Sequence, residues 1–291
     1  MKRKELIFER INRVIEEDYG INNELEVFVD RIGDRIVGKY LNNGMDVGSI
    51  VSEFRGKKVT YRWRICRFKD MDDYFKAAST GVLDSEYRYG ENVIYVSAVY
   101  VGGKFLKADF YDSLWHESEH LLQTDSWGRD FVDTPPYRYS TGEANSDDEL
   151  TRHLSTVFYM NDKTGEIDAT VNGLWGRLRA VGTYDTTERV FIESDAYGWL
   201  NRLYSAIMYL ETNKDNAEVA NAYNKLKMER GIRASFASVV RIARKSARSM
   251  ERKIGRVITR FKNRGIVNEG IRFGRPSPKP YSRVLLRMDK I

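Results

Sequence analysis

The chain has 291 residues, of which 42% are hydrophobic and 31% are charged, with a formal net charge of +6. This length is sufficient for one sizeable core with accessory helices, or for two small domains. No run approaches the ~20 apolar residues that cross a bilayer, and charges interrupt the basic start MKRKELIFERINRVIEE too early for a signal peptide. The single cysteine, Cys66, excludes an internal disulfide framework and fits a reducing compartment.

The net charge is divided unevenly along the chain. Residues 231–291 contain 17 Lys and Arg against three acids, a net charge of +14, so the first 230 residues carry −8. An acidic body with a basic extension suits binding to a polyanion, to an acidic protein surface, or to the body itself.

The predicted elements alternate between helices and a few strands. Apolar periodicity predicts helices over residues 2–18 and about 22–41. Runs rich in β-branched and aromatic residues predict strands at 57–68 and 91–101, with a helix or loop at about 72–86 between them. A further helix follows the second strand, and about 124–147, rich in Gly, Pro, Asp and Ser, is predicted as a long loop. Helices resume at 147–160, 166–181, 193–211 and 217–229, so we expect an α+β fold with a small β-sheet and a mostly helical remainder.

The C-terminal region is predicted to contain a long basic helix. Apolar residues from Phe236 to Phe261 recur in alternating steps of four and three, a heptad spacing, and ten Lys and Arg surround them. We expect this helix to pack on another helix, within the chain or in a protein partner or homo-oligomer. Nucleic acid is a weaker alternative, because the tail lacks an aromatic stacking set. The chain then divides into a helical segment at 1–56, an α+β domain at 57–230, and a basic extension at 231–291.

One motif in the sequence indicates a metal-binding or catalytic site. In DSLWHESEHLLQ, residues 112–123, His116, Glu117 and His120 form the pattern H-E-x-x-H. On a helix the two imidazoles lie only ~40° apart, so they can bind one ion from the same face. Glu117 falls beside that face, where a general base takes a proton from water bound to a metal ion. Glu119 is an unusual charge at its position, and is either a carboxylate supporting a histidine or a solvated residue at the helix edge.

A catalytic zinc ion needs three protein ligands and one open position. The only other histidine is His153, and the carboxylates Glu166 and Asp168 open the helix GEIDATVNGL. Glu166 has an alternative role as an acid that complements the helix dipole. These three residues are the candidates for the third ligand.

Residues 87–180 resemble a minimal glutamate-zincin core, similar to the short zincin domains of the ImmA/IrrE type and to phage-borne relatives. The H-E-x-x-H motif carries the resemblance, together with Glu166 and the small Ala169 three residues later. It implies Zn²⁺ bound by His116, His120 and Glu166, with Asp168 and then His153 as the alternative third ligands. Thr170 stands where the family often has an Asp, so Asp168, Glu193 or Asp195 would have to support a histidine. The strand at 91–101 matches the family's edge strand, which holds an extended peptide.

The resemblance implies a zinc-dependent metallopeptidase, in which Glu117 takes the proton of the attacking water and passes it to the leaving amine. Candidates for the oxyanion donor lie between the ligand helices in the sequence. We prefer His153, because histidine is scarce in this chain. The other candidates are Tyr137, Tyr139, Arg152 and Tyr159. The alternative is a structural or assembly protein, such as a phage virion component, with a basic docking arm. Either function implies a cytoplasmic or virion-associated protein with a peptide, protein or, less favoured, nucleic-acid partner, and no membrane.

Overall fold

In a computed structural model, the described residues are 23–78, 83, 85–127, 146–161 and 165–270, and they form the expected α+β fold. The helix predicted at 2–18 and most of the loop predicted at 124–147 lie outside these residues. Helix α1 spans Asn23–Asp34 and continues as a π-helical turn, Arg35–Tyr40, and a short 3₁₀ turn, Leu41–Asn43. It buries an apolar face of Leu25, Phe28, Val29 and Ile32, as its sequence periodicity predicts.

The sheet consists of β1 (Val47–Phe54), β2 (Lys57–Phe68), β3 (Glu86–Arg88), β4 (Val93–Val101) and β5 (Lys104–Phe105). Strands β1 and β2 form an antiparallel hairpin, and β2 pairs in parallel with β4. The two-residue hairpin turn, Arg55-Gly56, has positive φ at both positions, which suits the right-handed twist of the strands. The short β3 and β5 pair antiparallel with opposite ends of β4.

The segment predicted as helical at 1–56 therefore also contains a strand that the sequence reading missed. Strand β1 buries only Ile50 and Phe54 and exposes Val47 and Val51. Its weak alternation, interrupted by Gly and Ser, gives little strand signal before it pairs with β2. Helix α2, Met71–Ala78, follows β2 and precedes β3 in the chain.

The remaining elements are helices, with bounds close to those predicted. Helix α3 spans Lys107–Trp127 and carries the motif, so residues 124–127 extend this helix instead of opening a loop. The later helices are α4 (Glu149–Met160), α5 (Glu166–Val181), α6 (Thr187–Ile192), α7 (Asp195–Thr212), α8 (Ala217–Arg230) and α9 (Phe236–Gly270). None of the helices traced in the described ranges combines the length and the hydropathy of a membrane-spanning segment.

Helices α3 and α5 pack closely against each other in the core, and this contact positions the motif. Ala169, Gly173 and Gly176 share one face of α5, and Ala169 is fully buried. A Cβ atom at Gly176 would lie 2.2 Å from Cδ1 of Trp115 and 2.6 Å from the carbonyl oxygen of Tyr111. The small residue expected at 169 is thus the first of three that let the two helices approach.

The heptad seam of α9 is buried against helices of its own chain. Ala243, Ala247, Met250, Ile254 and Val257 belong to the same hydrophobic core as the residues of α5 and α7. Much of the charge on α9 is also compensated internally, because Arg244 pairs with Glu211 and Lys253 pairs with Asp168. Of the two packing arrangements expected for this seam, the structure has the intrachain one.

A buried acid ties α9 to α1 and α5. The carboxylate of Glu26 is 9% exposed and accepts hydrogen bonds from Arg179, Arg260 and Arg264. The same three guanidinium groups lie 5.0–5.8 Å from the ring centroid of Trp175. Because three cations converge on one desolvated acid and one aromatic face, this cluster fixes the ends of three helices together.

Candidate metal centre

Three side chains from two helices bring their ligand atoms together. Nε2 of His116 and Nε2 of His120 are 3.2 Å apart. Oε2 of Glu166 lies 3.7 Å from Nε2 of His116, and Oε1 of Glu166 lies 3.6 Å from Nε2 of His120. Of the described residues, these three alone form a group of three or more such side chains that could hold a metal ion. The structure therefore joins the motif on α3 to the preferred third ligand on α5.

Gln123 fixes the protonation of one of these histidines. Its Nε2 donates to the carbonyl oxygen of Gly165 at 3.1 Å, so its Oε1 is the group that faces Nδ1 of His120, at 3.0 Å. Because an amide oxygen only accepts, Nδ1 of His120 must carry the proton. The lone pair of Nε2 then points at the other two ligand atoms. A support of this kind orients metal-binding histidines in general.

Gln123 occupies the supporting position that the resemblance led us to expect for Asp168, Glu193 or Asp195. Asp168 instead pairs with Lys253, and Glu193 lies on the surface beside Arg189. Asp195 is exposed at the start of α7 and interacts with the charges of Asp109 and Arg177. The available signal was the spacing, since a residue three positions after His120 shares its helix face.

Gly165 positions Glu166 at the first turn of α5. It adopts a left-handed conformation, with φ of 70°, and a Cβ there would lie 2.4 Å from Nε2 of Gln123. Only glycine combines that backbone conformation with so close an approach. Its carbonyl oxygen also accepts from the backbone nitrogens of Asp168 and Ala169, which starts the helix. The glycine that starts α5 therefore also anchors the side chain that orients His120.

The environment keeps His116 neutral and places Glu117 against the interior. Burial, and next the proximity of His120, lower the pKa of His116 to about 3. A neutral imidazole is the form that binds metal ions. Glu117 follows His116 on α3 and is buried, so the predicted base occupies a desolvated position beside the ligands.

Glu119 is not solvated, so the reading of this residue as a solvated helix-edge charge is wrong. Its side chain is buried, and its Oε2 accepts a hydrogen bond of 2.7 Å from Nδ2 of Asn172 on α5. Burial, and next the charge of Asp168, raise the pKa of Glu119 to about 8. The residue at this unusual position therefore serves the contact between the two ligand helices. Thr170, which stands where the resemblance led us to expect an Asp, is also buried.

The structure does not bring the other proposed ligands into the group. Asp168 is held by Lys253. The ring of His153 packs on that of Tyr209, with centroids 4.7 Å apart, in a cavity of about 660 Å³ between α4 and α7 that also contains Arg202. Burial, followed by the charge of Arg152, lowers the pKa of His153. Neither alternative replaces Glu166, and the catalytic role of His153 stays a prediction.

The other proposed oxyanion donors are distributed differently. Tyr137 and Tyr139 lie outside the described residues. Arg152 is 3.4 Å from Glu149 and donates to the carbonyl oxygen of Ser146, and it lines the same cavity as His153. The ring of Tyr159 stacks on Trp199 at 4.9 Å. Arg152 therefore has the contacts of a residue near a helix end, and Tyr159 has those of a packed aromatic residue.

The strand before the motif helix is not a simple edge strand. Strand β4 lies between β2 and the short strands β3 and β5. On the side away from β2, β3 covers residues 93–95 and β5 covers 100–101. No strand among the described residues pairs with 96–99 on that side, so the stretch of β4 without a strand partner there is four residues long.

Comparisons with family models, with curated proteins and with solved structures give no match for this chain. The geometry of His116, His120, Glu166 and their neighbours is therefore the basis for inferring a function.

Proposed function

We propose that this protein is a zinc-dependent hydrolase of the metallopeptidase type, which cleaves peptide bonds. The observation that carries the proposal is the convergence of His116, His120 and Glu166 from two helices. Glu117, the base that the motif predicts, follows His116 on α3 and is buried. The resemblance of the H-E-x-x-H motif to that of glutamate-zincins supports the same chemistry.

The ligand distances fit zinc. Ligands bound tetrahedrally at ~2.0–2.2 Å lie ~3.4 Å from one another. The two imidazole nitrogens are 3.2 Å apart, and each has a different oxygen of Glu166 near it, at 3.7 Å from His116 and 3.6 Å from His120. Two imidazoles and one carboxylate are also a usual donor set for a catalytic zinc ion, whereas structural sites have four protein ligands. The His116 side chain is 22% exposed and that of His120 is 13% exposed, so the centre is open to solvent on one side.

A zinc ion in this position would supply a Lewis acid and lower the pKa of a bound water molecule to ~7. Glu117 accepts the proton of the attacking water and passes it to the nitrogen of the leaving amine as the C–N bond breaks. Gln123 holds neutral His120 in the tautomer whose Nε2 lone pair faces the other two ligand atoms, and Gly165 holds Gln123 in place. The close packing of α3 on α5 keeps Glu166 opposite the histidines.

The second candidate is an assembly protein in which the metal site is a structural element or a remnant. The long cationic helix α9 favours it, because this helix contributes no side chain to the metal-binding group. The number of protein ligands favours the hydrolase, since three ligands leave one position for water.

A substitution of Glu117 distinguishes the hydrolase from the assembly protein. We expect Glu117→Gln to bind zinc as the wild type does and to lose at least ~100-fold in the hydrolysis of an unstructured protein, because the base is removed and the ligands are kept. His116→Ala should lose both zinc and hydrolysis. Glu193→Gln, at an exposed position beside Arg189, is the matched control and should retain both. Wild-type hydrolysis by Glu117→Gln would refute the catalytic assignment, and inactivity of the zinc-loaded wild type on unstructured proteins and peptides would favour assembly.

A further inference from the structure

Helix α9 has a straight row of exposed cations. Arg241, Lys245, Arg248 and Arg252 are exposed and follow one another in steps of four, three and four. At ~100° per residue they fall within an arc of ~60°, and they extend over ~16 Å along the helix axis. We call these four residues the cationic row.

The row differs from several other cations of α9 in having no ion-pair partner among the described residues. Arg244, Lys253 and Arg260 pair with Glu211, Asp168 and Glu26. In the part of the chain that the structure describes, no acid forms an ion pair with the four side chains of the row. Glu251, directly before Arg252, is buried and accepts from the hydroxyl of Tyr204. The positive potential of the row is therefore directed at solvent.

The same face lacks apolar anchors. Between residues 236 and 264 the exposed positions of α9 are Arg244, Ala237, Asn263 and the row itself. A specific protein interface has a desolvated core with aromatic or aliphatic anchors, and an amphipathic membrane helix inserts an apolar face. The apolar face of α9 is already buried in the core. This surface thus offers charge and hydrogen-bond donors alone.

We propose that the cationic row binds the phosphate backbone of double-stranded DNA, without regard to base sequence. Double-stranded DNA carries one negative charge per ~1.7 Å of helix axis, so a row of ~16 Å meets a surface with densely spaced phosphates. Three of the four residues are arginines, whose guanidinium groups bind phosphate oxygens in bidentate fashion. The proposal does not depend on the metal centre, and metal-free protein is expected to bind DNA equally well.

The test is the salt dependence of binding to a short DNA duplex, measured by fluorescence anisotropy with the full chain. Four phosphate contacts contribute a slope of about −3.6 in log K against log salt, which is ~100-fold in affinity between about 50 and about 200 mM salt. The variant with all four residues of the row changed to Gln should lose that contribution, whatever the rest of the basic extension adds. Exchange of exposed side chains should leave the circular dichroism and the melting temperature unchanged.

A matched variant controls for net charge. In this variant, four exposed lysines elsewhere in the chain are changed to Gln, so the total loss of charge is the same. These residues are Lys39, Lys58, Lys69 and Lys104. This variant should keep the salt slope within about one unit of the wild type. An equal loss in both variants, or an unchanged slope in the row variant, would overturn the proposal. So would binding of the row to anionic phospholipid vesicles or to an acidic peptide without binding to duplex DNA.

Discussion

The close contact of α3 and α5 makes a strong prediction for Gly176→Ala. In an exposed helix interior this change stabilises by about 1 kcal/mol, because alanine is the better helix former. Here the added Cβ would lie 2.2 Å from Cδ1 of Trp115 and 2.6 Å from the carbonyl oxygen of Tyr111. These atoms must move by roughly 1 Å to reach normal contact, and overpacking of this kind costs about 1–3 kcal/mol or more.

We expect Gly176→Ala to lower the free energy of unfolding by about 2 kcal/mol. The control is Gly198→Ala, in α7, where an added Cβ meets no atom within 4 Å and where stability should rise by up to about 1 kcal/mol. Urea unfolding of the metal-free protein, followed by circular dichroism, measures both with the slope m held common. If both variants are equally stabilised, the two helices do not touch at Gly176, and the positioning of Glu166 by this contact is refuted.

Two further variants test individual contacts. Gln123→Ala should weaken zinc binding by about 10- to 100-fold with little change in fold, because His120 loses the acceptor that fixes its tautomer; competition with a zinc-binding dye measures this, and unchanged affinity would remove Gln123 from the site. Glu26→Gln should cost about 2 kcal/mol in urea unfolding, because three arginines lose their common buried acid. Glu24→Gln, on the exposed side of the same helix, should cost less than about 1 kcal/mol, and equal costs would contradict the cluster.

The elements that the sequence predicted well are those whose signal is local. Strand β2 and helix α5 have the predicted bounds, 57–68 and 166–181, because β-branched runs and a long apolar period are strong signals. Strand β1 was missed because it buries only two side chains, and β3, β5 and α6 are short. The pairing partners of these elements, and not their own residues, determine their structure.

The residues of the site also fall into two groups, those that the sequence pattern predicts and those that depend on the packing of distant elements. The helix period alone places His116 and His120 on one face of α3, and the family pattern selected Glu166. Gln123 acts through the carbonyl of a residue 42 positions away, and Glu26 meets arginines up to 238 positions away. Such contacts exist only after the helices pack. The sequence therefore shows that Gln123 shares a helix face with His120, but it contains no local signal for the groups that hold Gln123 and Glu26 in place. The prediction that Glu119 is a solvated residue at the helix edge was wrong for the same reason, because Asn172 on α5 donates a hydrogen bond to its carboxylate.

The measurement that bears most directly on the central proposal is metal content by elemental mass spectrometry, after incubation with zinc and dialysis without chelator. About one zinc ion per chain is expected for the wild type, and none or much less for Glu166→Ala, because two histidines alone bind zinc weakly. Asp168→Ala is the control, since Lys253 holds that carboxylate, and it should retain the metal. Absence of zinc from the wild type, or full zinc in Glu166→Ala, would contradict the proposed site.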